Sequence, residues 1–299
     1  MRQPEYGLPK YALAAYDPEA APYDEIWALC ADAHHLFADQ LPDRPGVSEE
    51  GDAPSDALME PPVRLLGCSP RGALKDGLES GRGDLGHGRV LRLGRLGRPL
   101  QHAVEGEIVA WIPSARGPGL VDLALDPWTV RPPSAAEKVW DAWWPGRPTE
   151  PNLWAGDGTG ADGRSHWLSV ARAYGGRPGP GPAPGATYHL DGRHITDEPA
   201  FYCALGEALN GPGGYAGRSP DTLSDCLRGD PDALPLHGEA DAPRPRGEAD
   251  TPPPRTLVWH AAHTARTCLG VTPRTDIRPP SFEELLALLR QMGVEVVLA

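Results

Sequence analysis

Between Asn210 and Gly229 the chain reads N-G-P-G-G-Y-A-G-R-S-P-D-T-L-S-D-C-L-R-G, a glycine-rich loop running into a short acidic helix. The loop holds one aromatic residue, Tyr215. Ser219 stands at an N-cap position, Pro220 at the first helical position and Asp221 in the first turn. A hydroxyl there accepts an orphan amide proton, proline lacks a donor that has no use there, and a carboxylate favours the positive end of the helix dipole. Leu223, Cys226 and Leu227 make a narrow apolar stripe, and Gly229 is placed to stop the helix. Asp221 and Asp225 lie one turn apart on a common face. Like charges at this spacing cost a few tenths of a kcal/mol in an isolated helix, which suggests that something outside the helix favours both.

Outward from this stretch the pattern is regular. Thr187 to Leu190 reads as a strand, followed by a turn at Asp191-Gly192 and an isolated apolar residue, Ile195. Thr196 or Asp197 caps a helix over Glu198 to Leu209, with Phe201, Ala204, Leu205 and Ala208 inward and Glu207 exposed. After the acidic helix, residues 230–255 form a Pro-, Gly- and acid-rich insert, in which G-E-A-D-A-P recurs as G-E-A-D-T-P. Its composition predicts disorder. Thr256 to Trp259 is a buried strand and Ala262 to Leu269 a short helix. Ser281 caps a helix over Phe282 to Met292, and Val294 to Leu298 is a last strand. The order β-α-α-β-α-α-β predicts a three-stranded parallel sheet covered by helices.

That order resembles barstar, the family of intracellular inhibitors of the ribonuclease barnase. D-G-R-x-I at Asp191 to Ile195, Y-x-G at Tyr215 to Gly217 and D-x-L-x-D-C-L-x-G at Asp221 to Gly229 carry the resemblance, with the T-L-V-W strand and the terminal helix-glycine-strand. It covers residues 187–299, apart from the insert, and does not extend to the first 185. It implies that loop and helix plug a nuclease active site, with carboxylates in the place of substrate phosphate. Asp225 becomes the main anchor, Asp221 meets a neighbouring basic group, and Tyr215 packs on the enzyme surface. Gly217, Ser224 and Arg228 complete the implied contact set. The chain departs from the family pattern at three places: Ser224 replaces an aromatic, Ser219-Pro220 replaces Asn-Leu, and Arg228 takes a small polar position from which it can pair with Asp225.

The first part of the chain reads differently. Tyr11 to Tyr16 is a strand. Glu25 to Phe37 mixes both periods and fits either a strand or a strand with a short helix. Residues 41–62 read as a disordered insert. Val63 to Cys68 is a strand, and Ser69-Pro70 opens a short helix through Leu78. The basic–apolar alternation R-V-L-R-L-G-R-L-G-R within Gly81 to Leu100 suits an edge strand with its arginines in solvent. Glu107 to Ile112 and Leu120 to Leu125 form a hairpin. Ser134 to Trp144 and Ser165 to Tyr174 are helices, and the tryptophans from Trp111 to Trp167 read as core. The expected layout is a mixed α+β domain over 1–175, a Pro/Gly linker over 176–186, and an α/β domain over 187–299.

Composition narrows the functions. The chain has 299 residues and a formal net charge of −13, which fits a basic protein partner and disfavours direct nucleic-acid contact. Five widely spaced cysteines without C-x-x-C predict buried, reduced thiols rather than a zinc site or disulfide framework. The N-terminal residues show no export signal and no window is apolar enough to span a membrane. No catalytic constellation, metal site or cofactor motif is expected. The reading is a cytoplasmic bacterial inhibitor, not an enzyme, whose partner is a small basic ribonuclease of barnase-like or toxin type. The alternative is an enzyme in the N-terminal domain, or an immunity or scaffold protein, using the second domain for docking.

Overall fold

Short alternating segments recur through the first 130 residues, and the described ones pair with one another rather than with helices. The computed structural model describes residues 8–16, 25–39, 60–174, 185–228, 255–270 and 278–299. The expected inserts at 41–62 and 230–255, and the expected linker at 176–186, fall almost wholly outside these. The chain forms two compact units, Met1–Trp140 and Asp141–Ala299, so the division lies ahead of the expected linker.

In the first unit β1 (Tyr11–Ala15), β2 (Ile26–Cys30), β3 (Asp32–His34), β4 (Val63–Pro70), β5 (His87–Leu93), β6 (Pro99–Pro113) and β7 (Val121–Pro127) form one antiparallel sheet. Its order is β2-β1-β5-β6-β7-β4-β3, and a further pairing of β2 with β4 closes it into a barrel. Closure removes the open edges that a flat sheet would expose. One helix, α1 (Gly72–Glu79), follows β4, and α2 (Ser134–Trp143) begins after β7. The unit is thus chiefly a β-barrel where the sequence suggested a mixed α+β domain.

Two local readings change with it. Glu25 to Phe37 contains two strands and no helix. The arginine-rich strand is not an edge: β5 lies between β1 and β6. Two of the four arginines in that alternation, Arg89 and Arg92, are partnered instead of solvated, whereas Arg95 and Arg98, beyond the strand, are exposed as expected. Arg92 is 2% exposed with its guanidinium 5.1 Å from the Tyr11 ring centre. Arg89 Nε donates to Glu105 at 2.8 Å. A long stem and a cation–π partner allow a guanidinium inside where the alternation suggested water.

The second unit contains a short 3-10 turn (Leu153–Ala155), α3 (Gly160–Tyr174), β8 (Thr187–Asp191), α4 (Glu198–Asn210), α5 (Pro220–Arg228), β9 (Arg255–His260), α6 (Ala262–Cys268), α7 (Phe282–Gln291) and β10 (Val294–Leu298). From β8 onward this is the expected order. The sheet is β10-β9-β8, parallel throughout, in the register Asp191 opposite His260 and Leu298 opposite Trp259. Trp259 is fully buried between Phe201, at 5.6 Å, and Phe282, at 5.1 Å. The cap of α7 is the predicted one: Ser281 Oγ accepts from Glu284 N, and the Glu284 side chain accepts from Ser281 N.

Helix α3 explains the earlier division. Trp167, Leu168 and Ala171 are buried as predicted. The helix starts five residues ahead of Ser165, at Gly160, and packs against α4. Its Arg164 pairs with Asp197, the N-cap of α4. Residues 200–206 of α4 are consequently all buried, not only its sheet-facing side. The five cysteines are free thiols, four of them buried.

Candidate acidic-helix site

Two glycines bring α4 and the loop after it into contact. A Cβ on Gly206 would stand 2.4 Å from the Gly214 carbonyl oxygen, and one on Gly214 2.3 Å from that of Gly206. No other residue fits either position without displacing backbone. Side chains then pin the loop. Asn210 Nδ2 donates to the Tyr215 carbonyl at 2.9 Å. Glu207 accepts from Gly213 N at 3.2 Å and from Asn152 N at 2.8 Å. Burial raises its carboxyl despite those two amides, so it is a structural acid and not the exposed one that the pattern implied. Arg147 Nε donates to the Pro212 carbonyl at 2.9 Å and Nη2 to that of Asn210. Trp143, fully buried, and Pro148 close over Gly213.

The start of α5 is equally fixed. Thr222 N donates to Ser219 Oγ at 3.3 Å, and Thr222 Oγ1 accepts from the amides of Arg218 and Ser219 at 2.9 and 3.0 Å. This is a reciprocal cap with threonine in place of the usual Glu or Gln. Gly217, at φ +106°, lets the chain turn into it; a Cβ there would meet Leu223 N at 2.6 Å.

With the helix held at its start, its faces are assigned by packing. Leu223, Cys226 and Leu227 are buried. Asp221 is exposed, and Ser224 and Asp225 are half-buried. Among the described residues neither aspartate is in a salt bridge. Arg228 ends the helix, but its side chain lies outside the described residues. Tyr215, expected on an enzyme surface, is only 8% exposed; burial raises its hydroxyl, and Arg172 of α3 acts on it. The same arginine acts on the Cys226 thiol, which burial and Asp225 push up. In D-G-R, Arg193 binds Asp191 through Nε and Nη2, at 2.9 and 2.6 Å, and Asn152 Nδ2 adds a bond at 3.0 Å. These donors hold the Asp191 carboxyl far below the usual carboxylate range.

The structure thus gathers Tyr215, Gly217, Asp221, Ser224 and Asp225 into one loop and one helix. Sequence reading missed Arg147, Asn152 and Glu207, the residues that pin that loop. Arg147 and Asn152 sit in a Pro/Gly-rich stretch with no periodicity, so nothing local marks them. Among the described residues no group of three or more His, Cys, Asp or Glu could hold a metal ion, and no helix is long and apolar enough to cross a membrane. A family model described as Barstar (barnase inhibitor) matches residues 186–292, the C-terminal part of the chain. No curated protein and no solved structure matches the chain.

Proposed function

We propose that this protein is a cytoplasmic bacterial inhibitor of a small basic ribonuclease, and that α5 enters the nuclease active site in place of substrate phosphate. One observation carries the reading: Asp221 and Asp225 stand one turn apart on the side of α5 away from its buried stripe. The family match over the same residues supports it. A cleft that binds phosphodiester is cationic and partly dry. A carboxylate placed there forms short charge-assisted bonds, and opposed fields speed encounter. Asp225 is the anchor and Asp221 the flanking contact. Ser224 leaves room beside the anchor where a larger side chain would pack on the enzyme. Tyr215 and Gly217 act through the loop, the first by filling it and the second by permitting its turn.

Barnase is the probe that tests this. The full chain is expected to suppress its cleavage of RNA in a saturable way, with an association rate that falls as salt rises. Asp225→Ala should cost about 2–5 kcal/mol of binding, at least a thirtyfold loss of affinity. Asp221→Ala should cost less. A protein carrying Asp225→Ala that inhibits as well as the parent removes the anchor, and with it the reading.

A further inference from the structure

Two imidazoles meet at the carboxyl ends of β8 and β9. His189 Nδ1 lies 3.0 Å from His260 Nε2, with the ring planes 15° apart and the ring centres separated by 5.3 Å. The register brings them together. Leu190 stands opposite Trp259 and Asp191 opposite His260, and successive residues of a strand face opposite sides of the sheet. Leu190 and Trp259 are fully buried, so His189 and His260 are turned outward, and both are exposed. The alternation that buries the apolar residues thus sets two ring nitrogens side by side in water. A hydrogen bond between them uses one proton and one lone pair, both of which water would also satisfy, so it contributes little by itself. In open α/β sheets ligands gather at the carboxyl ends of the strands, where this pair stands.

The donor set selects the ligand. Two imidazole nitrogens suit a late first-row dication and not Mg²⁺ or Ca²⁺, which take oxygen. Among the described residues no third His, Cys, Asp or Glu is in place to join them. Asp191 is the neighbour in register, but Arg193 and Asn152 occupy its oxygens, so water completes the coordination sphere. The separation then narrows the geometry. With metal–nitrogen bonds of about 2.0–2.1 Å, two ligands at a right angle stand about 2.9 Å apart and two at a tetrahedral angle about 3.4 Å. The observed 3.0 Å matches the right angle, which belongs to square-planar Cu(II) or Ni(II). Both rings are exposed, so turning their lone pairs onto one point outside the sheet displaces only water. Binding costs no net proton. The ring that donates in the hydrogen bond passes its proton through water to its other nitrogen, which leaves His189 Nδ1 and His260 Nε2 as the two ligating atoms.

We propose that His189 and His260 form a two-histidine site for a square-planar divalent cation, Cu(II) ahead of Ni(II), with water in the remaining positions. The site joins neighbouring strands of one sheet and is independent of the inhibitor reading, so no result with barnase bears on it. The test is a titration of the full chain with Cu(II) in a non-coordinating buffer, followed by calorimetry and electron paramagnetic resonance. One site stronger than any other is expected, with hyperfine splitting from two nitrogens, and Ni(II) is expected to bind the same site more weakly. His189→Ala and His260→Ala should each weaken it at least tenfold, since either one breaks the chelate. The double variant should lose less than the product of the two single losses, for the same reason. Because both residues are exposed, all three variants are expected to keep the parent's urea midpoint without metal. Ni(II) should raise that midpoint in the parent and not in His189→Ala, because the site exists only in the folded sheet. His34→Ala, which alters the neighbouring exposed pair His34 and His35, should leave the strongest site unchanged. Undiminished affinity in either single variant, or splitting from one nitrogen, overturns the proposal. So does an adventitious pattern, in which several weak sites of equal strength respond to none of these substitutions.

Discussion

At Gly217 a single hydrogen atom in place of a side chain sets the course of the chain into α5. Its φ of +106° is costly for any L-residue, and Leu223 N would lie 2.6 Å from a Cβ. Backbone strain of this kind costs about 1–3 kcal/mol, and the contact adds to it. Gly217→Ala should therefore lower the urea midpoint of the second unit and weaken inhibition together, because the cap and both aspartates move with the turn. A parent-like midpoint would show that the loop relaxes around the methyl. Glu198 makes the opposite kind of statement. A carboxyl raised by burial is disfavoured as an anion in the folded state, so its penalty is present above its folded pKa and vanishes below the ordinary value near 4.5. Glu198→Gln should therefore be more stable than the parent at pH 7. The gain should be under about 1 kcal/mol, since the group is half in water and well screened, and it should shrink as pH falls toward 4.5. Urea titrations at the two pH values measure this directly. A gain that grows in acid would contradict the burial account.

Helix α5 has 9 residues, too few to persist alone in water, so its place depends on its cap and on its buried stripe. Both were legible in the sequence, because capping chemistry and i, i+3, i+4 spacing are local. The elements that hold the loop before it were not. Arg147 lies 63 residues from Asn210 along the chain, and no local pattern ties the two. The early start of α3 was hidden for a related reason: Gly160 enters the helix from the left-handed region, at φ +57°, and Gly163 is a poor helix former that packing overrides. Strand β5 shows the same limit from the other side. Alternation marked it as a strand, but an arginine over an aromatic ring reads like one in solvent until the ring's position is known. Arg147→Ala tests the pinning at this scale. Losing two bonds from a charged donor should cost about 1–3 kcal/mol locally, with faster hydrogen exchange at the Gly213 and Gly214 amides and little change at the sheet. Uniformly faster exchange would mean that Arg147 holds the whole unit and not its loop.

On the scale of the whole chain, the family match and the compact unit have different limits. The match covers 186–292, whereas the unit begins at Asp141. The extra segment supplies Trp143, Trp154, Trp167, Leu168, Val170 and Ala171 to the interior, each at most 2% exposed. Burying one large apolar side chain is worth about 1.5–3 kcal/mol, and a domain's whole margin is about 5–15. A fragment of residues 186–299 would lose this cover and leave one face of α4, Tyr202 and Cys203 included, open to water. It should therefore bind a hydrophobic dye and melt broadly or at a much lower temperature, whereas residues 141–299 should unfold in one cooperative step. Inhibition should follow the same division. Without α3 there is no Arg172 beside Tyr215 and Cys226. If the shorter fragment melts with the longer one and inhibits barnase equally, α3 is an ornament on a self-sufficient domain. If it fails while the longer one succeeds, residues 141–174 are part of the inhibitor's fold.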